Sequence, residues 1–125
     1  MPDSVLVYTV HAEFADEATR QRYLDWLRDG HVLAVVSEGG ALSGEVTVLD
    51  SGPAEASEPG GTSGEGGSAL GAVESRYLFG SRAAFDAYEA GPGVALRADG
   101  ARLFPADSGV RTTRILGTLA VRVPE

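Results

Sequence analysis

The chain has 125 residues, 43% of them hydrophobic, which is typical of a single globular domain with one core. It contains no cysteine, which excludes disulfides, a thiolate nucleophile and cysteine-ligated metal or iron–sulfur sites. The formal net charge is −8, and every basic residue is an arginine. An acidic chain without a basic stripe argues against binding to nucleic acid or to an anionic membrane surface.

The sequence shows no targeting or membrane segment. Its first residues lack the basic region and the apolar stretch of a secretory signal. No run approaches the roughly 18 apolar residues of a membrane span. We therefore expect a cytoplasmic protein.

The first half of the chain predicts two strands around a helical region. Residues 4–13 are rich in β-branched and aromatic side chains, which favours a strand. Asp16 is a suitable N-cap for a helix that runs to residue 29, and residues 31–36 form a short apolar continuation. Residues 41–50 alternate as a second strand, in which Gly44 indicates a bulge or a close approach.

Residues 51–70 differ in composition from the rest of the chain. They are rich in glycine, serine, proline and glutamate, with no aromatic or β-branched apolar side chain. Such a segment cannot bury enough surface to offset its ordering entropy. We predict a flexible insertion in the central hairpin of one domain, which spans residues 1–125.

The second half of the chain repeats the pattern of the first. Residues 72–79 predict a third strand, and Ser81 is a suitable N-cap for a second helical region. The glycine–proline–glycine segment 91–93 breaks this region, and Pro105 ends it. Residues 110–123 predict the last strand.

The order β-α-β-β-α-β predicts a ferredoxin-like α+β fold, with an antiparallel four-stranded sheet and two helices on one face. The other face would then be bare, although the strands carry apolar residues on both sides. An exposed apolar face of this size needs a cover, and the simplest cover is a second copy related by two-fold symmetry. We therefore expect a homodimer.

Four segments carry a resemblance to a known family: VLVYTVHAEF, YLDWLRDGHVLAVVSEGGALSGEVTVL, ESRYLFGSRAAFDAYEA and VALRADGARLFP. They resemble an uncharacterised family of dimeric α+β barrel proteins, domain of unknown function 4286. Trp26 and His31 correspond to the tryptophan and histidine at the end of its first helix. Arg97 corresponds to the arginine of its leucine–arginine pair, whereas Gly100 stands where a polar residue is usual.

The resemblance implies a dimeric α+β barrel without choosing an activity. Proteins of that wider fold group include cofactor-independent monooxygenases, polyketide cyclases, lactone isomerases and members with no known activity. A shared fold does not choose among such functions.

His31 is the candidate catalytic residue. It lies four residues after Leu27 on the inward stripe of the helix, where an imidazole can act as a general base near neutral pH. The alternative is a helix-terminal histidine that bonds a carbonyl and interacts with the helix dipole. His11, near the end of the first strand, is interpreted as an exposed polar residue.

The sequence predicts neither a metal nor a cofactor. A metal site needs three or four converging ligands, and the two histidines are far apart in the pattern. The phosphate-binding loop is absent, and the glycines of residues 60–67 are not placed as a dinucleotide-binding fingerprint.

Four further residues are candidates for ligand binding. Arg76 or Arg97 would hold a carboxylate or a polarised oxygen. Tyr8 and Trp26 would line an apolar pocket between sheet and helices, with their hydroxyl and indole N–H as polar handles. Each has a structural alternative, which is ion pairing for the arginines, Arg76 with Glu45 in particular, and core packing for the aromatic residues. Arg111 and Arg114 are notable within the otherwise apolar last strand and have the same two interpretations.

These features predict a homodimer that binds a small aromatic or carboxylic metabolite, with acid–base chemistry that needs no cofactor. The alternative is a non-catalytic interaction module or a structural dimer. In a structural dimer, a network of arginines and carboxylates would fill the cavity.

Overall fold

The computed structural model describes residues 4–50 and 70–124. Most of the predicted insertion, residues 51–69, lies outside the described residues. The strands are β1 Leu6–Phe14, β2 Ser43–Val48, β3 Val73–Phe79 and β4 Val110–Thr118. They form one antiparallel sheet in the order β2-β3-β1-β4, so the predicted ferredoxin-like α+β fold is confirmed.

The last strand is shorter than predicted. It ends at Thr118, whereas the sequence pattern extends to residue 123. Its neighbour in the sheet is β1, in which Tyr8 pairs with Leu116. Because the two strands are antiparallel, β4 ends opposite the start of β1. Beyond the strand, Leu119 N donates a hydrogen bond of 2.9 Å to Val5 O.

Each predicted helical region is divided into two helices. The first contains α1 Glu17–Trp26 and α2 Val32–Ser37, joined by a π-helical turn, Leu27–His31. The turn is kinked at Gly30, where the backbone (φ 163°, ψ −20°) is not helical. The second contains α3 Arg82–Ala90 and α4 Pro92–Leu103. The break between α3 and α4 lies at the segment 91–93 that the sequence predicts as a break, and α2 lies where the sequence predicts the apolar continuation, residues 31–36.

The helix starts and breaks have local causes. Asp16 and Ser81 act as N-caps, accepting hydrogen bonds from Thr19 N at 2.8 Å and Ala84 N at 3.0 Å. Pro92 has no N–H to donate to the preceding turn, so α3 ends before it and α4 begins there.

One face of the sheet packs on the helices. On β3 the alternate residues Val73, Ser75, Tyr77 and Phe79 are all buried. The approach of α2 is close, because a Cβ on Gly44 would lie 2.9 Å from Val32 Cγ1. Gly44 therefore permits the close approach of α2, which is one of the two alternatives, a bulge or a close approach, that the sequence indicates.

The other face of the sheet carries polar as well as apolar side chains. His11 Nδ1 lies 2.7 Å from Glu74 Oε2, and Arg76 Nη1 lies 3.6 Å from Glu45 Oε2. Ile115, paired with Thr9, is 49% exposed on this face. We call this surface the open face.

Among the described residues, no helix has both the length and the apolar character needed to span a membrane.

Candidate functional site

A cavity of about 150 Å³ lies between the helix-covered face of the sheet and helices α1 and α4. The lining side chains are mostly aromatic and aliphatic, with two arginines among them. They come from strands β1, β3 and β4, from the π-helical turn and from both helical regions. The lining consists of Tyr8, Val10, Tyr23, Trp26, Leu27, His31, Ser75, Tyr77, Tyr88, Leu96, Arg97, Gly100, Ala101, Phe104, Val110, Thr112 and Arg114.

Four of the five candidate residues from the sequence meet in this cavity: Tyr8, Trp26, His31 and Arg97. Arg76 does not join them, because it lies on the open face beside Glu45. This position matches the ion-pair alternative for Arg76. The structure therefore separates two arginines that the sequence could not distinguish.

The π-helical turn determines where His31 points. In this turn Val32 N donates to Leu27 O, so residues five positions apart come onto one side. Trp26 and His31 have that spacing, and their rings stack with centroids 4.0 Å apart and an angle of 23° between planes. The sequence pattern instead aligned His31 with Leu27 at the spacing of an α-helix.

Gly100 lets helix α4 approach the indole of Trp26. A Cβ at this position would lie 3.0 Å from Trp26 Cη2, which is closer than ordinary van der Waals contact. The resemblance marked Gly100 as unusual, and the structure gives a physical reason for glycine there. The indole therefore stacks on His31 and also lies close to the backbone of α4 at Gly100.

The imidazole of His31 is neutral at physiological pH. Burial lowers its pKa to about 4, although the nearby carboxylate of Asp99 opposes this shift. A neutral imidazole can accept a proton, but it does not provide the cation that would interact with a helix dipole.

Two arginines that share one carboxylate form the polar end of the cavity. Glu89 Oε1 accepts a hydrogen bond of 2.5 Å from Arg97 Nη1, and its Oε2 accepts one of 2.9 Å from Arg114 Nη1. Arg97 Nη2 also donates to the backbone oxygen of Glu89 at 3.1 Å. The two guanidinium groups are thereby held close to each other.

Arg114 also approaches the hydroxyl of Tyr8, with Nη1 at 3.5 Å from the oxygen. Its guanidinium carbon lies 5.9 Å from the centroid of the Tyr8 ring. The hydrogen bond with Tyr8, and then that with Glu89, raise the pKa of Arg114. Arg114 is therefore a permanent cation next to the aromatic side chains of the cavity.

The buried tyrosines of the cavity stay protonated. Desolvation raises the pKa of Tyr23 and of Tyr88 to about 12, and it raises the pKa of Tyr77 as well. Their hydroxyls are therefore neutral groups that can donate hydrogen bonds at physiological pH.

Sequence reasoning missed Glu89 and did not place Arg114. Arg114 was recognisable as an arginine within an apolar strand, but a strand pattern cannot tell which partner it will meet. Glu89 looked like any exposed helical glutamate, and only the crossing of α3, α4 and β4 brings it between two arginines.

The fold resembles solved structures of low sequence identity. One is a dimeric ferredoxin-like protein from an uncultured marine organism, with a TM-score of 0.64 and 14% identity over 97% of this chain and 100% of that chain. Another is SnoaB, a cofactor-independent oxygenase from Streptomyces nogalater, with a TM-score of 0.50 and 12% identity over 98% and 99% of the two chains. These likenesses support the ferredoxin-like class of fold.

No protein-family model matches the sequence, so the resemblance to domain of unknown function 4286 is not confirmed. A comparison with curated proteins finds no match.

We expect the pKa of His11 to lie above the ordinary histidine value of 6.5 and the pKa of His31 to lie below it. Hydrogen bonding to Glu74 raises the pKa of His11, whereas burial lowers that of His31 to about 4. The stability that His11 contributes is therefore lost as pH rises through its folded pKa. For His31, the unfolded chain takes up the proton first below 6.5, so stability falls between 6.5 and about 4.

Proton NMR of the two imidazole rings measures this directly, and the variant His11→Gln assigns the signals. A His31 signal that titrates near 6.5 would contradict the burial of its ring.

Proposed function

We propose that this protein is a homodimer that binds a small aromatic or carboxylic metabolite in the cavity between sheet and helices. The observation that carries the proposal is the convergence of aromatic walls, a neutral imidazole and two guanidinium groups on one cavity. Ligand sites are commonly concave and apolar, with a few polar groups that fix orientation. A cavity of about 150 Å³ in another protein accommodates benzene, so a single ring suits this space.

The proposed orientation follows from the two ends of the cavity. An aromatic ring would pack against Trp26 and Tyr8, since offset and tilted ring contacts are favourable. A carboxylate or phenolate oxygen on that ring would face Arg97 and Arg114, because guanidinium groups bind such oxygens with charge-assisted hydrogen bonds.

His31 is proposed as the general base of chemistry that needs no cofactor. Its imidazole is unprotonated at physiological pH, and its ring borders the same space as the arginines. Proton removal from a bound molecule would leave negative charge on oxygen, which the guanidinium groups would stabilise. A pKa of about 4 makes His31 a weak base in the empty cavity, so we expect modest rates.

The structural-dimer alternative predicts that arginines and carboxylates fill the space. Such a network exists around Glu89, and it is the observation that favours this alternative. The network occupies one end, however, and a cavity of about 150 Å³ remains beside it. The remaining space favours ligand binding.

The open face is the proposed surface of dimerisation. It carries Ile115 beside charged groups that pair within the face, such as Arg76 with Glu45. Self-association is also supported by the likeness to a dimeric ferredoxin-like protein over nearly the whole chain. Two copies packed through this face would leave both cavities on the outer, helix-covered sides.

A glutamate at position 115 should convert the dimer into a monomer. In Ile115→Glu the two-fold axis would bring two uncompensated carboxylates into the interface, which is strongly unfavourable. Sedimentation velocity measures the mass. The matched control is Leu116→Glu on the other face of the same strand, where the residue is 42% exposed, compared with 49% at Ile115. The open face is not the interface if Ile115→Glu stays dimeric.

A side chain added at Gly100 should block the cavity. Gly100→Leu places its branched carbons against Trp26, so we expect the affinity for benzoate to fall by at least about tenfold, or about 1.4 kcal/mol. Trp26 is the only tryptophan, so its fluorescence reports occupancy, and calorimetry gives the dissociation constant. Gly80→Leu is the control, because it lies outside the cavity lining and the nearest atom to a Cβ at Gly80 is Leu42 Cδ1, at 4.0 Å. Equal affinity in both variants would contradict binding in this cavity.

The base function of His31 can be tested with benzisoxazole, a neutral aromatic compound with an acidic C–H. His31 would take the C3 proton while the N–O bond breaks, which gives 2-cyanophenolate, and water would then recover the proton. We expect His31→Ala to lower the rate at least about tenfold, and the wild-type rate to fall as pH drops through about 4. His11→Ala, on the open face, is the control. Similar rates in both variants would remove His31 from this role.

A further inference from the structure

The polar end of the cavity carries an unbalanced charge. Glu89 lies between Arg97 and Arg114, so two guanidinium groups share one carboxylate. None of the described residues that line the cavity has a carboxylate of its own, and the nearby Asp99 is paired with Arg102. His31 and the buried tyrosines are neutral at physiological pH. One net positive charge therefore remains beside an aromatic wall.

Glu89 occupies an unfavourable position for a carboxylate. It lies in the last turn of α3, where the exposed carbonyl groups already carry partial negative charge. Its side chain is only 27% exposed, so water screens it incompletely. The two arginines offset both effects. Conversely, Glu89 keeps two guanidinium groups together that would otherwise repel each other.

We propose that the cavity selects ligands with a single negative charge, and that Glu89 sets this selectivity as a built-in counterion. The inference rests on the proposed function, since it assigns the charge of the ligand in the same cavity. A monoanion neutralises the remaining charge of the cluster, a neutral ligand leaves it unbalanced, and a dianion exceeds it. Partial burial strengthens these differences, because charges interact more strongly away from water.

The overall charge of the molecule does not favour anions, so the selectivity has to come from the cavity itself. The chain carries a formal net charge of −8, so its surface as a whole does not attract anions. Binding of a small anion is therefore expected to depend on the arginines of the cavity.

The test compares benzoate with benzamide, which has nearly the same shape and no charge. We expect the wild-type protein to bind benzoate at least about tenfold more tightly than benzamide. In Glu89→Gln both arginines lose their counterion while the shape of the side chain is kept. The affinity for benzoate should then rise about tenfold, and that for benzamide should change by less than about twofold.

A dianion distinguishes the counterion role from a general gain of positive charge. The ratio of phthalate affinity to benzoate affinity should be higher in Glu89→Gln than in the wild type. The difference in size between the two ligands affects both proteins alike, so it cancels in this comparison. Glu17→Gln is the matched control, because it removes the same charge from an exposed ion pair with Arg20 on α1. It should leave every affinity unchanged.

A second variant keeps the inference testable if Glu89→Gln does not fold. In Arg114→Gln the pair of Arg97 and Glu89 is neutral, so the preference for benzoate over benzamide should disappear. The Arg114 side chain is 46% exposed, so its replacement should leave the fold intact.

The possible results separate this inference from the proposed function. Equal binding of benzoate and benzamide by the wild type would overturn the charge selectivity and leave ligand binding in place. Weaker benzoate binding by Glu89→Gln would show that Glu89 positions the arginines, which overturns its role as a counterion. If benzoate, benzamide and phthalate all fail to bind the wild type and every variant, the proposed function is overturned as well.

Discussion

The contact between Trp26 and His31 determines the shape of the cavity. It depends on the π-helical turn, which aligns residues five positions apart, and on Gly100, which lets α4 reach the indole. If the helix continued with α-helical hydrogen bonds, the two rings would point in different directions.

The burial that defines the cavity also sets its chemistry. Desolvation keeps His31 unprotonated and the tyrosines protonated, so the aromatic part of the site is neutral. Ionised groups are confined to the end where Arg97, Arg114 and Glu89 meet and satisfy one another. Buried charges are tolerated where partners of opposite sign are in contact, and the crossing of α3, α4 and β4 supplies them.

The fold is shared with proteins of different description, one of them a cofactor-independent oxygenase and another described only by its ferredoxin-like fold. At identities of 12–14% the backbone is comparable while most side chains differ. A function on such a fold therefore depends on its particular side chains. In this protein the proposed ones are the stacked Trp26 and His31, the two arginines and Glu89.

The sequence by itself determined the strands, the helix caps and their order. Alternation along residues 4–13 and 72–79, and the caps Asp16 and Ser81, act over a few residues and can be recognised without a partner. The aromatic side chains of Tyr8 and Trp26 made them candidates for a pocket wall or for the core. What the local patterns could not provide was the geometry of the kink at Gly30, since glycine adopts both helical and non-helical backbone conformations readily.

Only the tertiary structure decided which charged residues belong to the site. Arg76, Arg97 and Arg114 are alike in sequence, yet one lies on the open face beside Glu45 and the other two share Glu89. Their partners come from distant parts of the chain, so the choice depends on sheet register and on how the helices cross. A carboxylate such as Glu89 acquires its role because packing places it between two cations and limits its contact with water.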